Sequence, residues 1–335
     1  MHKTLLIIGF CILLGLSFIA GKFFSYTSDI SSSSKAEDCS DDYAFINPQF
    51  NCGESQVIKK HGYAELITRI EDVIEKEKAD GVVDTVSVFF RDLNNGPSFG
   101  VNDQERFIPA SLFKLPIMLA YFQLVDDEDF SLKTQIAYGE TKEEVSKQFY
   151  PPKEEVKPHT PYSLDELIFR MIAYSDNKAT AALVSDLKNL SRERKKDLIY
   201  ETYVGTGVVY PDAEDEAVIT VRSYASLYRI LYNASYLSNK MSEKALETLS
   251  RSEFNKGLVA GVPKGMRVAH KFGERFDDKV DDDVEQFHDC GIVYYPENPY
   301  LLCVMTKGKY IPTLVSVTAK ISEMVYREVE LRKIK

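Results

Sequence analysis

The chain has 335 residues, of which 44% are hydrophobic and 27% are charged, and its formal net charge is −10. This composition is that of a globular protein with enough apolar residues to bury a sizeable core. The negative charge argues against nucleic acid as a partner, because a protein that binds phosphates needs a basic surface.

The amino terminus contains an apolar segment. Residues 4–21 are apolar or small, and a lysine lies on each side of them. This length is close to the ~20 residues that span a bilayer, so residues 1–24 are predicted to form a membrane anchor or a signal segment. An uncleaved anchor is favoured, because a cut after Ala20 would place the bulky Phe18 where a small residue is needed. We expect an extracytoplasmic protein held at the cell membrane, or a secreted one if the segment is cleaved.

The next part of the chain is predicted to be a linker. Residues 25–61 are rich in serine and acidic residues and include Asn and Pro. A single compact domain is predicted for residues 62–335, and we expect it to be a monomer.

The cysteines fit an exported protein. Cys39 and Cys52 bracket a short polar loop, which suits a disulfide in an oxidising compartment. Cys290 and Cys303 lie on two predicted neighbouring strands, but the sequence does not settle their register, so a disulfide and free buried thiols both stay open. The spacings typical of metal sites, Cys-x-x-Cys and His-x-x-x-His, do not occur. No metal and no cofactor is expected.

Hydrophobic periodicity places strands near both ends of the domain and helices between them. In chain order, the prediction is a helix at 63–78, strands at 83–93 and near 99, helices at 111–124, within 163–188 (two), at 220–233 and 242–251, strands at 266–272, 286–295 and 300–307, and a helix at 312–332. Strands from both chain ends are expected to join in one five-stranded antiparallel sheet flanked by helices, beside an inserted all-helical lobe. The fold class is therefore α+β, with a cleft between the layers that suits a binding site.

The first of three motifs is Ser111-Leu112-Phe113-Lys114, at the start of a predicted helix. This spacing puts the hydroxyl and the amine on one face of the helix, a single turn apart. The helix start favours developing negative charge at Ser111, and a desolvated lysine near another cation has a lowered pKa and can act as a base. The pattern alone is weak, because the same spacing recurs by chance at residues 32–35, 175–178 and 185–188.

The second motif is Ser175-Asp176-Asn177, between two predicted helices. Ser175 is a candidate proton shuttle to a leaving nitrogen, and Asn177 is a candidate to hold the substrate amide and to orient Lys114. A polar turn that only caps the following helix is the structural alternative.

The third motif is His270-Lys271-Phe272-Gly273, on a predicted strand beside the cleft. Lys271 is expected to supply positive charge for a substrate carboxylate and for the proton relay. Gly273 is expected to leave room for a substrate to pair with the strand edge. Together, in this order, the three motifs provide a serine nucleophile activated by lysine, without a catalytic histidine.

The chain resembles class A β-lactamases and the related penicillin-binding serine hydrolases, from about residue 63 to 330. The resemblance extends over the residues around the motifs, at 107–116, 171–180, 268–274 and 288–294. It implies the β-lactamase/DD-peptidase fold, and it implies that the backbone amides of Ser111 and Glu274 form an oxyanion hole.

Two departures from that family pattern bear on the substrate. The family carries a hydroxyl residue where this chain has Phe272, and a phenyl ring cannot hydrogen-bond a substrate carboxylate. The family glutamate that activates the deacylating water has no recognisable counterpart at 200–220, where Glu214 and Glu216 are weak candidates and a solvated acidic loop is the alternative. A second acidic segment, 277–285, is interpreted as an exposed hairpin extension. His270 and His288 are interpreted as structural.

The leading hypothesis is an exported serine hydrolase that opens β-lactams through an acyl-enzyme. One alternative is a bacterial D-alanyl-D-alanine carboxypeptidase or other cell-wall amidase that acts on peptidoglycan stem peptides, which the missing glutamate and the anchor favour. Another is a catalytically silent wall-binding module in which Phe272 plugs the pocket.

Overall fold

The computed structural model describes residues 43–47, 62–94, 96–139, 147–210, 218–276 and 284–333. In chain order the helices and strands are α1 (Ala64–Ala79), β1 (Val83–Asp92), β2 (Ser98–Val101), β3 (Arg106–Phe107), α2 (Lys114–Asp126), β4 (Gln135–Ala137), β5 (Pro161–Ser163), α3 (Leu164–Ala173), α4 (Asn177–Arg194), α5 (Leu198–Thr206), β6 (Ile219–Thr220), α6 (Val221–Tyr232), α7 (Asn239–Ser250), β7 (Val268–Arg275), β8 (Glu285–Val293), β9 (Tyr300–Gly308) and α8 (Ile311–Lys333).

The main sheet has five antiparallel strands in the order β2-β1-β9-β8-β7. Strand β1 pairs with β9 along most of its length, with Val88 opposite Val304 and Phe90 opposite Leu302. Because early and late strands meet in this way, the predicted α+β fold with a sheet from both chain ends is confirmed. Strand β7 lies at one edge of this sheet, so no other described strand pairs with its outer side.

Both faces of the sheet are covered, which explains why its strands are nearly continuous apolar runs in the sequence. In β9, Leu302 and Val304 face a cluster that includes residues of α1 and α8. Leu301 and Met305 face the larger cluster formed with helices of the lobe, α2 to α7. Every residue from Tyr300 to Thr306 is buried, so this strand crosses the centre of the domain.

Local structure departs from the sequence prediction at the four short strands β3 to β6, which were not predicted, and at two helices. The helix predicted to begin at Ser111 is divided: Ala110–Phe113 is a 3₁₀ turn, and α2 begins at Lys114. Helix α5 was not predicted, because its apolar residues do not follow one face. Its ends are nevertheless typical, since Asp197 caps the first amides and Gly207 ends the helix at a φ of 66°.

A short segment of the predicted linker packs on the domain. The carboxylate of Glu243 on α7 accepts hydrogen bonds from three consecutive amides, those of Ala44 (2.8 Å), Phe45 (3.0 Å) and Ile46 (3.1 Å). Ile46 is only 6% exposed. The packed region therefore begins earlier than residue 62, because an apolar side chain and a carboxylate acceptor hold these residues against the lobe.

Several predictions fall outside the described residues. These are the anchor or signal segment at 1–24, the pairing of Cys39 with Cys52, and the acidic candidates Glu214 and Glu216. Among the helices that the structure describes, none is both long enough and apolar enough to cross a membrane.

The second cysteine pair lies inside the sheet. Cys290 on β8 is directly opposite Cys303 on β9, and a disulfide joins them. Register, which the sequence left open, decides this pairing.

Candidate active site

Ser111 lies in the 3₁₀ turn that precedes α2, at the edge of the sheet. The turn is held by neighbouring residues: the amide of Leu112 donates to the carbonyl oxygen of Pro109 (3.0 Å), and the hydroxyl of Tyr224 donates to that of Leu112 (3.0 Å). Ala110 has a φ of 47°, a left-handed conformation that is uncommon for a residue with a side chain. Leu112 is fully buried while Ser111 is half-buried, so the turn presents the serine at the cleft.

Lys114 follows one turn later as the first residue of α2, and it is 3% exposed. Its Nζ donates to the carbonyl oxygen of Ser175 (2.6 Å), the hydroxyl of Ser175 (3.0 Å) and Oδ1 of Asn177 (2.7 Å). These contacts use all three protons of an ammonium group. The structure therefore brings together the first two motifs, which lie about sixty residues apart.

The segment that carries Ser175 joins α3 to α4. Ser175 has a φ of 56°, and Asp176 next to it is the cap of α4, accepting from the amides of Lys178 and Ala179. The other carboxylate oxygen of Asp176 accepts from the amide of Val156 (2.9 Å). The capping interpretation thus applies to Asp176. Its neighbours, Ser175 and Asn177, are left to contact the Lys114 amine.

Lys271, on the edge strand β7, reaches the same hydroxyl from the other side. Its Nζ donates to Oγ of Ser175 (3.0 Å) and to the carbonyl oxygen of Phe272 (2.8 Å), and the side chain is fully buried. The hydroxyl of Ser175 therefore bridges two lysines, both within hydrogen-bond distance. A proton can pass between them through a single oxygen.

Burial shifts the pKa of both lysines in the direction that a proton relay needs. The pKa of Lys114 is well below its usual value, first because burial removes water from the charged form and second because Lys271 is close. Burial also lowers the pKa of Lys271 to about 7, although the carboxylates of Asp289 and Glu274 oppose this shift. Both shifts favour the neutral amine, which is the form that can accept a proton.

Gly273 has a packing role in addition to the one predicted for it, and the predicted room for a substrate at the strand edge stays a prediction. A Cβ added there would lie 3.0 Å from the carbonyl oxygen of Pro109 and 3.1 Å from the amide nitrogen of Leu112. Glycine is therefore needed so that β7 can approach the turn that carries Ser111. The oxyanion hole formed by the amides of Ser111 and Glu274 stays a prediction. The close approach of β7 to the turn brings the segments that carry these two amides near each other.

Phe272 and Glu274 complete the wall on β7. The ring of Phe272 is stacked on that of Phe254, with centroids 4.0 Å apart, and is 3% exposed. Oε1 of Glu274 accepts from the amide of Tyr150 (2.9 Å), and burial raises the pKa of the carboxyl.

Sequence analysis missed Gln148, whose Nε2 donates to the carbonyl oxygen of Ser175 (3.1 Å). No motif or periodicity surrounds Gln148, so only the folded chain reveals it. Two histidines make structural contacts. Nδ1 of His270 pairs with Asp289 (2.8 Å). Nε2 of His288 donates to the carbonyl oxygen of Ile108 (3.0 Å), and burial lowers the pKa of His288 to about 4.

The fold and these contacts are typical of serine hydrolases that have lysines, and no histidine, beside the serine. A family model described as "Beta-lactamase enzyme family" matches residues 65–329, so the chain belongs to this family. The family predicted from the three motifs is thereby confirmed. The protein is a β-lactamase-like serine hydrolase that acts on amide bonds.

This chain matches solved structures of the same fold over nearly the whole length of those structures. A structure of PBP-A is 24% identical, with a TM-score of 0.64, and the match covers 82% of this chain and 99% of that one. A β-lactamase from Chitinophaga pinensis DSM 2588 is 19% identical, with a TM-score of 0.66 and coverages of 79% and 99%. The TLA-3 extended-spectrum β-lactamase is 18% identical, with a TM-score of 0.66 and coverages of 80% and 99%. The comparison with curated proteins gives no match.

Proposed function

We propose that this hydrolase acts through an acyl-enzyme on Ser111, with β-lactams as a substrate class. The observation that carries the proposal is the position of the Ser175 hydroxyl, 3.0 Å from Nζ of Lys114 and 3.0 Å from Nζ of Lys271. This oxygen connects the base beside the nucleophile to a second proton donor.

The proposed acylation step conserves protons. The neutral amine of Lys114 takes the proton of the Ser111 hydroxyl as Oγ attacks the carbonyl carbon. The oxyanion is stabilised by the amides of Ser111 and Glu274. As the C–N bond breaks, the Ser175 hydroxyl donates its proton to the leaving nitrogen and receives one from Lys114, so the amine is neutral again.

A structure of a PBP-A mutant supports β-lactams as reactants of this fold. That structure is an acyl-enzyme complex with penicillin G, and its chain is 24% identical to this one with a TM-score of 0.65. For the present chain, the same adduct on Ser111 is our proposal.

The second candidate is a D-alanyl-D-alanine carboxypeptidase or other cell-wall amidase. The described residues of the stretch where the family carries its deacylating glutamate, 200–210 and 218–220, contain a single carboxylate, Glu201, which is exposed on α5. The lack of a recognisable family glutamate motif in the sequence at 200–220 favours an enzyme that is acylated by penicillin and then hydrolyses the adduct slowly.

The test is intact-mass spectrometry of the full chain mixed with penicillin and followed over time, with Ser111→Ala as the control. An adduct on Ser111 that clears quickly supports a β-lactamase, and one that persists supports the peptidase. If the Ser111→Ala protein turns over substrate at a substantial rate, the acyl-serine mechanism is wrong. A protein that forms no adduct favours the silent wall-binding module, although the intact lysine and serine network argues against that module.

We also propose that the protein is exported and tethered by its apolar amino-terminal segment. The Cys290–Cys303 disulfide supports this location, because such bonds persist in oxidising compartments. Fractionation of cells should recover the chain with membranes, and externally added protease should digest it in spheroplasts. Recovery in the protease-protected cytosol would contradict the proposal.

A further inference from the structure

The ammonium group of Lys271 is enclosed on all sides. Two of its protons are directed to Oγ of Ser175 (3.0 Å) and to the carbonyl oxygen of Phe272 (2.8 Å). The face of the Phe272 ring lies on a third side, with its centroid 4.2 Å from Nζ. A substrate carboxylate cannot reach this charge while the ring is in place. The sequence-based role of Lys271 as a carboxylate partner therefore conflicts with its surroundings.

The ring of Phe272 is held firmly. It stacks on Phe254 with an angle of 18° between the ring planes, and Phe287 lies beyond with centroids 6.4 Å apart. Phe272 is 3% exposed and belongs to the cluster between the sheet and helix α8. Moving the ring would open a gap in a close-packed apolar cluster, which is costly.

Glu274 adds a negative charge to the same wall. It lies two residues after Phe272, so both side chains leave β7 on the same face. Its Oε1 is held by the amide of Tyr150 (2.9 Å), and the amide of Phe149 also lies close enough to the carboxyl to favour its charged form, whereas Oε2 is buried without a hydrogen bond of normal geometry among the described residues. A buried acceptor without a donor is unfavourable, and a second carboxylate brought next to it would be repelled.

This inference rests on the proposed acyl-serine function and names its substrate class. We infer that Phe272 and Glu274 together disfavour a carboxylate beside the scissile amide, so that penicillins and D-alanyl-D-alanine ends react slowly and the preferred acyl donor carries none. Oε2 of Glu274 accepts a hydrogen bond from an N–H group of the acyl substrate, which supplies the partner that this oxygen lacks. The substrate class is an amide whose leaving end is uncharged, such as one closed by a carboxamide.

The test compares benzylpenicillin with its methyl ester, which differs only in the masked carboxylate. The rate of adduct formation on Ser111 is measured by intact mass for each compound. Each rate is divided by the rate of uncatalysed alkaline hydrolysis of the same compound, which corrects for the greater reactivity of the ester. We expect the corrected ratio of ester to acid to be about tenfold or more in the unmodified protein, since a like-charge contact of about 1.4 kcal/mol corresponds to a factor of ten.

Two variants locate the effect. Glu274→Gln preserves the shape of the side chain and should lower the ester-to-acid ratio by raising the rate with the acid. Phe272→Thr should lower the ratio further, because it uncovers Lys271 and adds a hydroxyl. Because Phe272→Thr removes a packed ring, its thermal unfolding is measured first. If Phe272→Thr does not fold, the ester-to-acid ratio of Glu274→Gln alone decides whether the inference holds.

A corrected ratio of one or less in the unmodified protein overturns the inference, and so does a ratio that Glu274→Gln leaves unchanged. In both cases an adduct on Ser111 still supports the acyl-serine function. If neither compound forms an adduct, the proposed function fails and the substrate class fails with it.

Discussion

Nζ of Lys114 donates to both oxygens of Ser175, the carbonyl at 2.6 Å and the hydroxyl at 3.0 Å. This double contact requires the left-handed backbone of Ser175, whose φ is 56° and which turns the carbonyl and the side chain toward the same amine. The left-handed backbone at Ser175 thus brings its hydroxyl, the proposed proton shuttle, to the amine of Lys114, the proposed base.

Replacing the base should stop acylation without unfolding the protein. Lys114→Met is expected to slow adduct formation by about 10²–10⁴-fold, the usual contribution of a positioned base. Stability should change little, because the substitution also removes a buried amine whose charged form is disfavoured. The measurement is the acylation rate by intact mass, beside the thermal unfolding curve. Lys178→Met is the matched control, since Lys178 follows Ser175 at the same spacing but forms an outward ion pair with Glu155. Equal losses in the two variants would contradict the assignment.

The rate of acylation should depend on pH in a bell shape. Lys114 acts as a base only when neutral, so the rate rises as pH increases through its lowered pKa. The positive charge of Lys271 stabilises the Ser175 oxygen while that hydroxyl passes its proton to the leaving nitrogen, so the rate falls as pH increases above the Lys271 pKa of about 7 and the charge is lost. In Lys271→Arg the falling limb should move far to the alkaline side, because arginine keeps its charge. A rate that is constant from neutral to alkaline pH in the unmodified protein would argue against this role of Lys271.

A methyl group at Gly273 should displace the turn that carries the nucleophile. Gly273→Ala places a Cβ 3.0–3.1 Å from backbone atoms of Pro109 and Leu112, which cannot move independently of Ser111. We expect the free energy of unfolding to fall by about 1–3 kcal/mol, as for other overpacked sites. The acylation rate should fall as well. Gly62→Ala is the control, because nothing lies within 4 Å of its added Cβ. Normal acylation by Gly273→Ala would mean that the turn tolerates the shift.

Replacing two helix caps, Asp176 of α4 and Asp197 of α5, distinguishes a residue that positions Ser175 from one that only stabilises a helix. Asp176→Ala removes the acceptor of three amides next to Ser175 and should cost about 1–3 kcal/mol together with most of the acylation rate. Asp197→Ala removes the cap of α5, away from the motifs, and should cost about 0.5–2 kcal/mol while acylation persists. Urea unfolding and adduct formation are measured for both. Equal effects on acylation would show that Asp176 acts only through stability.

The segment at residues 43–47 should contribute to stability but not to catalysis. Glu243→Ala leaves three amides without their carboxylate acceptor, so the free energy of unfolding should fall by about 1–3 kcal/mol. Acylation should stay unchanged, because this segment is held by Glu243, Tyr232 and Tyr294, which lie outside the three motifs. Glu247→Ala, on the same helix, is the control. A variant that loses acylation but not stability would point to a link between the segment and the cleft.

Sequence patterns were sufficient to predict the sheet, because burial of both faces makes β9 an unbroken apolar run. The pairing of β9 with β1 follows from a sheet that joins strands from both ends of the domain. The motif around Ser111 was recognised for its chemistry, but its local structure was predicted as a helix. The 3₁₀ turn and the left-handed Ala110 depend on Gly273 lying against Pro109, a contact across more than 150 residues. Helix propensity alone does not contain that information.

By itself the sequence determined the order of the three motifs and the family, and it predicted the nucleophile and its lysine base, because each depends on residue types at short spacing. Only the tertiary structure decided what surrounds them. Gln148 contacts Ser175, Tyr150 holds Glu274, and the ring of Phe272 encloses Lys271. The first two contacts join segments far apart in the chain. The enclosure of Lys271 depends on Phe254, which fixes the ring of its neighbour Phe272. Packing between such segments sets the electrostatics of the cleft, and no local pattern encodes it.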